Sequence, residues 1–156
     1  MLAAEPIEDP TLNTLSTMSD PLISVVIATR DRGESVTHTV ESALKNLSTY
    51  SNFEIVVVDQ SADDRCRQNM QPYADRQNVV YVRSHTKGLA RARNLAIVKA
   101  KGELIAITDD DCVVSESWLQ EICQAFRKYP EVSILFGNVL PGPHDCSAGF
   151  IPSYHR

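Results

Sequence analysis

The feature that most constrains the fold of this chain is the alternation of short apolar runs with segments of helical periodicity. Residues 53–58 form the clearest run, too apolar for either face to be solvated, as in a central parallel strand covered by helices on both sides. Similar runs predict four further strands, at residues 23–28, 79–82, 104–107 and 132–136. Strands that alternate with helices are joined by right-handed crossovers. The pattern therefore predicts an α/β fold with a doubly wound, mostly parallel sheet and helices on both faces.

The apolar periodicity is confined to the middle of the chain. Its 156 residues suffice for one domain with a substantial core. We predict a disordered tail at residues 1–20, one α/β domain at residues 21–140, and a loop or flexible end at residues 141–156.

Charge, cysteine spacing and hydropathy limit the partners and the compartment. The net charge of -5 and the pI near 5.3 argue against a nucleic-acid partner, which calls for a basic surface. The four cysteines lack metal-binding spacing, and residues 1–20 lack the basic start and apolar core of a signal peptide. No apolar run is long enough to cross a bilayer. We therefore predict a cytoplasmic protein with reduced thiols and no transmembrane segment.

Polar side chains stand at the predicted carboxyl ends of three strands. Thr29 follows the first strand, Asp59 follows the second, and Asp109, Asp110 and Asp111 follow the fourth. In doubly wound sheets, ligands bind in the crevice outside these ends. We expect one crevice to collect all five side chains.

The acidic triplet has two interpretations. Adjacent carboxylates repel by roughly 1 kcal/mol per pair even in water, so three in a row suggest a bound cation. Oxygen ligands suit Mg²⁺ or Mn²⁺, which complete their shells with water and substrate phosphates. Alternatively, the carboxylates cap the helix that follows. One or two would satisfy a cap, and the third would be unexplained.

The turn at residues 29–33 contains neither a dinucleotide-binding glycine motif nor a P-loop. A diphosphate bound here would therefore depend on a metal ion. Asp59 could accept hydrogen bonds from a base or a ribose, or it could close an Asx turn with Ser61.

Basic residues cluster before and within the helix predicted by the helical spacing of Leu89, Ala92, Leu95, Ala96 and Ala100. Arg91 and Arg93 lie two positions apart, so they point in different directions and one of them could reach an anionic ligand. We expect Arg83 and Lys87, in the preceding loop, to be solvated.

Four segments of the chain occur in a characteristic order. They are ISVVIAT at 23–29, IVVVD at 55–59, GLARARN at 88–94 and GELIAITDDD at 102–111. In this order they resemble the family 2 glycosyltransferases of the GT-A fold, and the resemblance covers about residues 22–140. It implies a Rossmann-like nucleotide-binding part of a sugar-transferring enzyme.

The resemblance implies a site for a nucleoside-diphosphate sugar, with a UDP-sugar favoured. Thr29, Arg30 and Asp31 would line the nucleotide pocket, and Asp59 would contact the base. Arg93 would contact the base or shape the pocket.

The same resemblance makes residues 109–111 the DxD element. Asp111 would bind Mg²⁺ or Mn²⁺ with Asp109 as a second ligand, while Asp109 and Asp110 would contact ribose and diphosphate. Three consecutive aspartates leave this register open by one residue. The metal would offset charge on the departing diphosphate during an inverting transfer to an acceptor that the sequence does not identify.

Inverting transfer also needs a carboxylate that takes the acceptor proton, and the resemblance places that base well downstream. Only 45 residues follow Asp111, and Glu131, His144 and Asp145 stand in no motif of that kind, so the catalytic base is unknown. We predict a shortened transferase that binds metal and nucleotide sugar weakly and transfers little or no sugar. Its exposed apolar sheet edge predicts a homodimer.

Other functions compete with this one. A non-catalytic nucleotide-sugar-binding module acting with a partner chain would fit the missing base, and donor hydrolysis or transfer would distinguish it from an enzyme. A nucleotidyltransferase would need a glycine-rich loop at residues 29–33. A response-regulator receiver domain would need an acidic pair after the first strand and a lysine after the fifth. The sequence has neither the glycine-rich loop of the first class nor the acidic pair and lysine of the second.

Overall fold

The structure, a computed structural model, describes residues 19–142. Most of the predicted tail at 1–20 and most of the predicted end at 141–156 lie outside the described residues, as do His144 and Asp145.

Within residues 19–142, four strands alternate with four helices. The strands are β1 (Ile23–Thr29), β2 (Phe53–Asp59), β3 (Val79–Arg83) and β4 (Leu104–Asp109). The helices are α1 (Gly33–Leu44), α2 (Arg65–Met70), α3 (Leu89–Lys99) and α4 (Trp118–Lys128), with 3-10 turns at Lys45–Ser48 and Gln71–Tyr73. No helix within residues 19–142 has the length and apolar character needed to cross a membrane.

The strands form one parallel sheet in the order β3-β2-β1-β4. Both central strands, β1 and β2, are buried along their whole length. One face packs against α1, α2 and the start of α4, and the other packs against Ala92 and Ala96 of α3. The predicted parallel α/β sheet with helices on both faces is confirmed.

The described residues divide into two compact units, with the boundary between Cys123 and Gln124. In the second unit α4 ends at Lys128. The predicted strand at 132–136 is wrong, because these residues form no ladder in the described part of the chain. A strand needs a neighbour for its backbone groups and cover for its side chains, and Phe136 is 93% exposed.

A buried polar contact fixes β4 against the sheet. Glu54, on β2, accepts hydrogen bonds from the Ser24 hydroxyl at 2.7 Å and from the Lys101 backbone N–H at 2.6 Å. The same hydroxyl accepts one from the Gly102 N–H at 2.8 Å. These bonds hold the start of β4 beside β1. They therefore determine where the residues at its far end emerge.

Gly102 is required for this close approach. A Cβ atom there would lie 2.5 Å from the Ser24 backbone nitrogen and 2.7 Å from the Leu22 carbonyl oxygen. We expect Gly102→Ala to lower the free energy of unfolding by about 1–3 kcal/mol, the usual cost of overpacking, in a urea titration. Gly137→Ala is the control, since a Cβ there meets nothing within 4 Å. Equal stability of the two variants would contradict this account of the contact.

Candidate functional site

The carboxyl ends of β1, β2 and β4 meet at one edge of the sheet. Thr29 pairs with Asp59, and Ala28 pairs with Asp109, so the three strands end level with one another. A cavity of about 420 Å³ opens there. Its lining residues are Ala28, Thr29, Arg30, Arg32, Gln60, Gly88, Leu89, Asp109, Asp110 and Asp111.

The central carboxylate of the triplet belongs to the wall of this cavity. Asp110 is 6% exposed. It accepts a hydrogen bond from the Thr29 hydroxyl at 2.6 Å on one oxygen and from Arg32 Nη1 at 3.2 Å on the other. Asp110 thereby joins the end of β4 to the end of β1 and to the turn that follows β1.

The outer carboxylates are half exposed, and each pairs with an arginine. Asp111 lies 2.9 Å from Arg32 Nη1, and Asp109 lies 2.5 Å from Arg93 Nη2. Attraction first to Asp110 and then to Asp111 raises the pKa of the Arg32 guanidinium above its usual value. The mutual repulsion of the triplet is therefore partly offset by Arg32 and Arg93. The bound cation that the triplet suggests stays a prediction.

The helix-cap interpretation of the triplet is wrong. The next helix, α4, begins at Trp118, beyond an intervening turn and loop. The carboxylates of residues 109–111 are therefore too far along the chain to satisfy its first backbone N–H groups.

Within residues 19–142, no three Asp, Glu, His or Cys side chains are arranged as a ready-made metal site. The donor chemistry still suits a hard cation. Asp109 and Asp111 each keep one carboxylate oxygen without a hydrogen-bond partner in the described structure. Mg²⁺ and similar ions need only one or two protein carboxylates, because water and substrate phosphates complete the shell.

Asp59 lies behind the cavity and does not line it. The residue is fully buried. One oxygen accepts from the Ser61 N–H at 2.8 Å and from the Ser61 hydroxyl, and the other accepts from the Tyr81 hydroxyl at 2.5 Å and from Arg83 Nη1 at 3.2 Å. The Asx turn with Ser61 is thus present. The expectation that Arg83 is solvated was wrong, because a buried carboxylate needs a compensating charge.

Asp31 also lies away from this cavity. It has a φ of 58°, unusual for a residue other than glycine. Its N–H donates to the Ser61 hydroxyl at 2.8 Å, and its carboxylate accepts from the Ala62 N–H at 3.1 Å. The backbone bend at Asp31 leads directly into Arg32, which lines the cavity.

A second cavity, also of about 420 Å³, lies between the starts of α1 and α2. Asp31 and Cys66 are among its lining residues. Burial, followed by the nearby negative charge of Asp59, raises the pKa of Cys66 to about 12. This thiol is therefore protonated near neutral pH and is unsuited to act as a nucleophile.

The structure brings together most of the predicted site residues and adds others. Thr29, Arg30 and the triplet line the first cavity, and Arg93 reaches it through Asp109. Sequence reasoning missed Arg32, Gln60, Gly88 and Leu89 as lining residues. The signal that could have identified Arg32 as a lining residue was its positive charge in the turn that follows β1. Gly88 has a φ of 112°, which favours glycine.

Comparisons with known proteins identify the family. Residues 24–144 match the family model Glycosyl transferase family 2. Glycosyltransferase GlyG of Streptococcus pneumoniae is 33% identical over 119 residues, covering 75% of this chain and 38% of that protein. The Escherichia coli UDP-Glc:alpha-D-GlcNAc-diphosphoundecaprenol beta-1,3-glucosyltransferase WfgD is 28% identical over 122 residues, covering 78% of this chain and 47% of that one.

Solved structures agree with the sequence matches. S. aureus TarS 1-349, crystallised in complex with UDP-GlcNAc, is 26% identical, with a TM-score of 0.60 over 69% of this chain and 32% of that one. The chain therefore spans less than half the length of these relatives. The GT-A architecture predicted from sequence is confirmed, and the chain belongs to glycosyl transferase family 2.

Proposed function

We propose that this chain binds a nucleoside-diphosphate sugar in the cavity at the carboxyl ends of β1, β2 and β4, as the donor-binding part of an inverting glycosyltransferase. The observation that carries the proposal is the convergence of the acidic triplet with Thr29, Arg30 and Arg32 around one cavity. The donor named for WfgD is UDP-Glc, and TarS was crystallised with UDP-GlcNAc. These names favour a UDP-sugar here.

The sheet order supports an orientation for the nucleotide. β1 separates β2 from β4, so their ends lie roughly 10 Å apart at the usual spacing of strands. That distance is comparable to the separation of diphosphate and base in an extended nucleotide. With the diphosphate at the triplet on β4, the base would lie towards β2.

The base-side wall would then be formed around Gln60. Its side chain is buried, lines the cavity, and donates a hydrogen bond to the Thr86 hydroxyl at 3.0 Å. The predicted contact of Asp59 with the base would require one of its four present donors to move. In the described arrangement Asp59 instead supports the wall from behind.

Asp109 and Asp111 are the residues that would hold Mg²⁺ or Mn²⁺, through their unpartnered oxygens. Such an ion, when bound, would neutralise charge on the departing nucleoside diphosphate. Thr29 and Arg32 keep Asp110 in the wall by hydrogen bonding. Arg30 and Arg32 add positive charge to the lining, which suits phosphate oxygens.

We expect UDP to stabilise the protein in a thermal-shift panel of nucleoside diphosphates, and Mn²⁺ to enhance the effect, because ligands that bind only the folded state raise its melting temperature. Asp111→Ala should remove the Mn²⁺-dependent part. We expect this variant to lose UDP affinity by roughly tenfold or more. Mutation of a residue that only supports a metal ligand already lowers metal affinity or activity by about that factor.

Asp63→Ala is the matched control for Asp111→Ala, because Asp63 is exposed and pairs with Arg65 away from this cavity. A Mn²⁺-dependent gain that survives intact in Asp111→Ala would remove this residue from the proposed metal site.

The proposed roles of the cavity residues concern donor binding and include no catalytic base. We therefore expect the purified chain to bind UDP-glucose or UDP-GlcNAc with little release of UDP. The measurement is a coupled assay for free UDP, with Asp111→Ala as the background. Steady turnover well above that background would contradict the expectation and would identify an active enzyme. A binding module without activity is not favoured by the family.

We also propose that a homodimer forms through β4, which pairs only with β1 among the described strands. Ile105 and Ile107 on this edge strand are 38% and 46% exposed. In sedimentation velocity, the wild-type chain should show a concentration-dependent dimer that Ile105→Lys weakens, because a charge on an edge strand opposes pairing. A wild-type monomer at high concentration would refute the proposal.

A further inference from the structure

Arg32 holds two of the three carboxylates at the same time. A single nitrogen, Nη1, lies 3.2 Å from Asp110 and 2.9 Å from Asp111. The Arg32 side chain is 56% exposed and borders the cavity. It can therefore leave the carboxylates without unpacking the core.

The position of Arg32 is built into the turn. Asp31 adopts its left-handed backbone conformation while its N–H and its carboxylate are bonded to Ser61 and Ala62. A non-glycine residue keeps such a conformation only when its surroundings stabilise it. The loop after β2 thus fixes the bend from which Arg32 extends towards the end of β4.

A divalent cation and the Arg32 guanidinium would compete for the same negative charge. The ion would be drawn to Asp111 and its neighbours, and it would be repelled by a guanidinium within hydrogen-bonding distance of those carboxylates. A nucleoside diphosphate changes this balance, because its oxygens offer the guanidinium another anionic partner.

We propose that Arg32 is a built-in competitor of the metal ion that keeps affinity for the free ion low and makes ion and nucleoside diphosphate bind cooperatively. This inference rests on the proposed function. Arg93 is less suited to the role, because within residues 19–142 it pairs with one of the three carboxylates, Asp109, is less exposed, and does not line the cavity.

The direct test is a titration with Mn²⁺ alone, followed by electron paramagnetic resonance of the free ion. Arg32→Gln should bind Mn²⁺ roughly three- to tenfold more tightly than the wild type, a range set by the modest strength of partly exposed ion pairs. Arg32→Lys, which keeps the charge, should stay closer to the wild type. Arg65→Gln is the control, since it removes one charge from the Asp63 pair outside this cavity.

The second measurement is the cooperativity itself. The ratio of Mn²⁺ dissociation constants without and with UDP, corrected for Mn²⁺ bound by free UDP, should exceed one in the wild type and fall in Arg32→Gln. By linkage the same ratio must appear in the affinity for UDP, which gives an internal check.

The outcomes separate this inference from the proposed function. Suppose that the wild type binds Mn²⁺ and that Arg32→Gln, with an unchanged melting temperature, binds it equally well or more weakly. This result would overturn the role of Arg32 and leave the metal site standing. Failure of every variant to bind Mn²⁺, with UDP affinity independent of the ion, would overturn the metal site and this inference together.

Discussion

The pairing of β1 with β2 on one side and with β4 on the other is the constraint on which the site depends. Side chains from residues about 80 positions apart, such as Thr29 and Asp110, can bond at 2.6 Å only because these strands end level. That register is secured at the opposite end of the sheet, where Glu54 and Ser24 hold the chain around Gly102. A one-residue slip of β4 would turn every side chain of the strand to the other face and rearrange the acidic triplet.

Charge balance is the second constraint. Three carboxylates and two guanidiniums share the end of β4. Asp110 is nearly buried and satisfied on both oxygens, so it contributes to the framework. Asp109 and Asp111 each keep an oxygen without a partner among the described groups, so they retain the capacity to bind a ligand. Consecutive residues of one type therefore have different chemical environments.

Much of the fold could be predicted from periodicity, because strands buried on both faces leave a continuous apolar run. The strands predicted at residues 23–28 and 53–58 correspond to β1 and β2. The run at 132–136 has the same local character and forms no strand in the described structure. Strand formation requires a partner for the backbone, which a local pattern does not contain.

The site was less predictable, because its decisive contacts join residues distant in sequence. The position of Asp59 at a strand end was evident, but its burial and its saturation by Ser61, Tyr81 and Arg83 depend on how β3 pairs with β2. The pairing of Arg32 with Asp110 and Asp111 likewise depends on the bend at Asp31. Composition gives the charges available to a site, and only the fold assigns each charge its partner.

The mixed charges of the cavity have a consequence for the ligand it prefers. A bare diphosphate approaching Arg30 and Arg32 also meets the carboxylates of Asp109 and Asp111, and a bare divalent cation approaching those carboxylates meets the guanidinium of Arg32. Each component alone is opposed by part of the lining. A diphosphate that arrives with its cation presents both signs at close range and can satisfy both sets of groups. Under the proposed function, an electrostatically mixed wall would therefore discriminate against free cations and free anions alike, without requiring a dedicated metal cage in the protein.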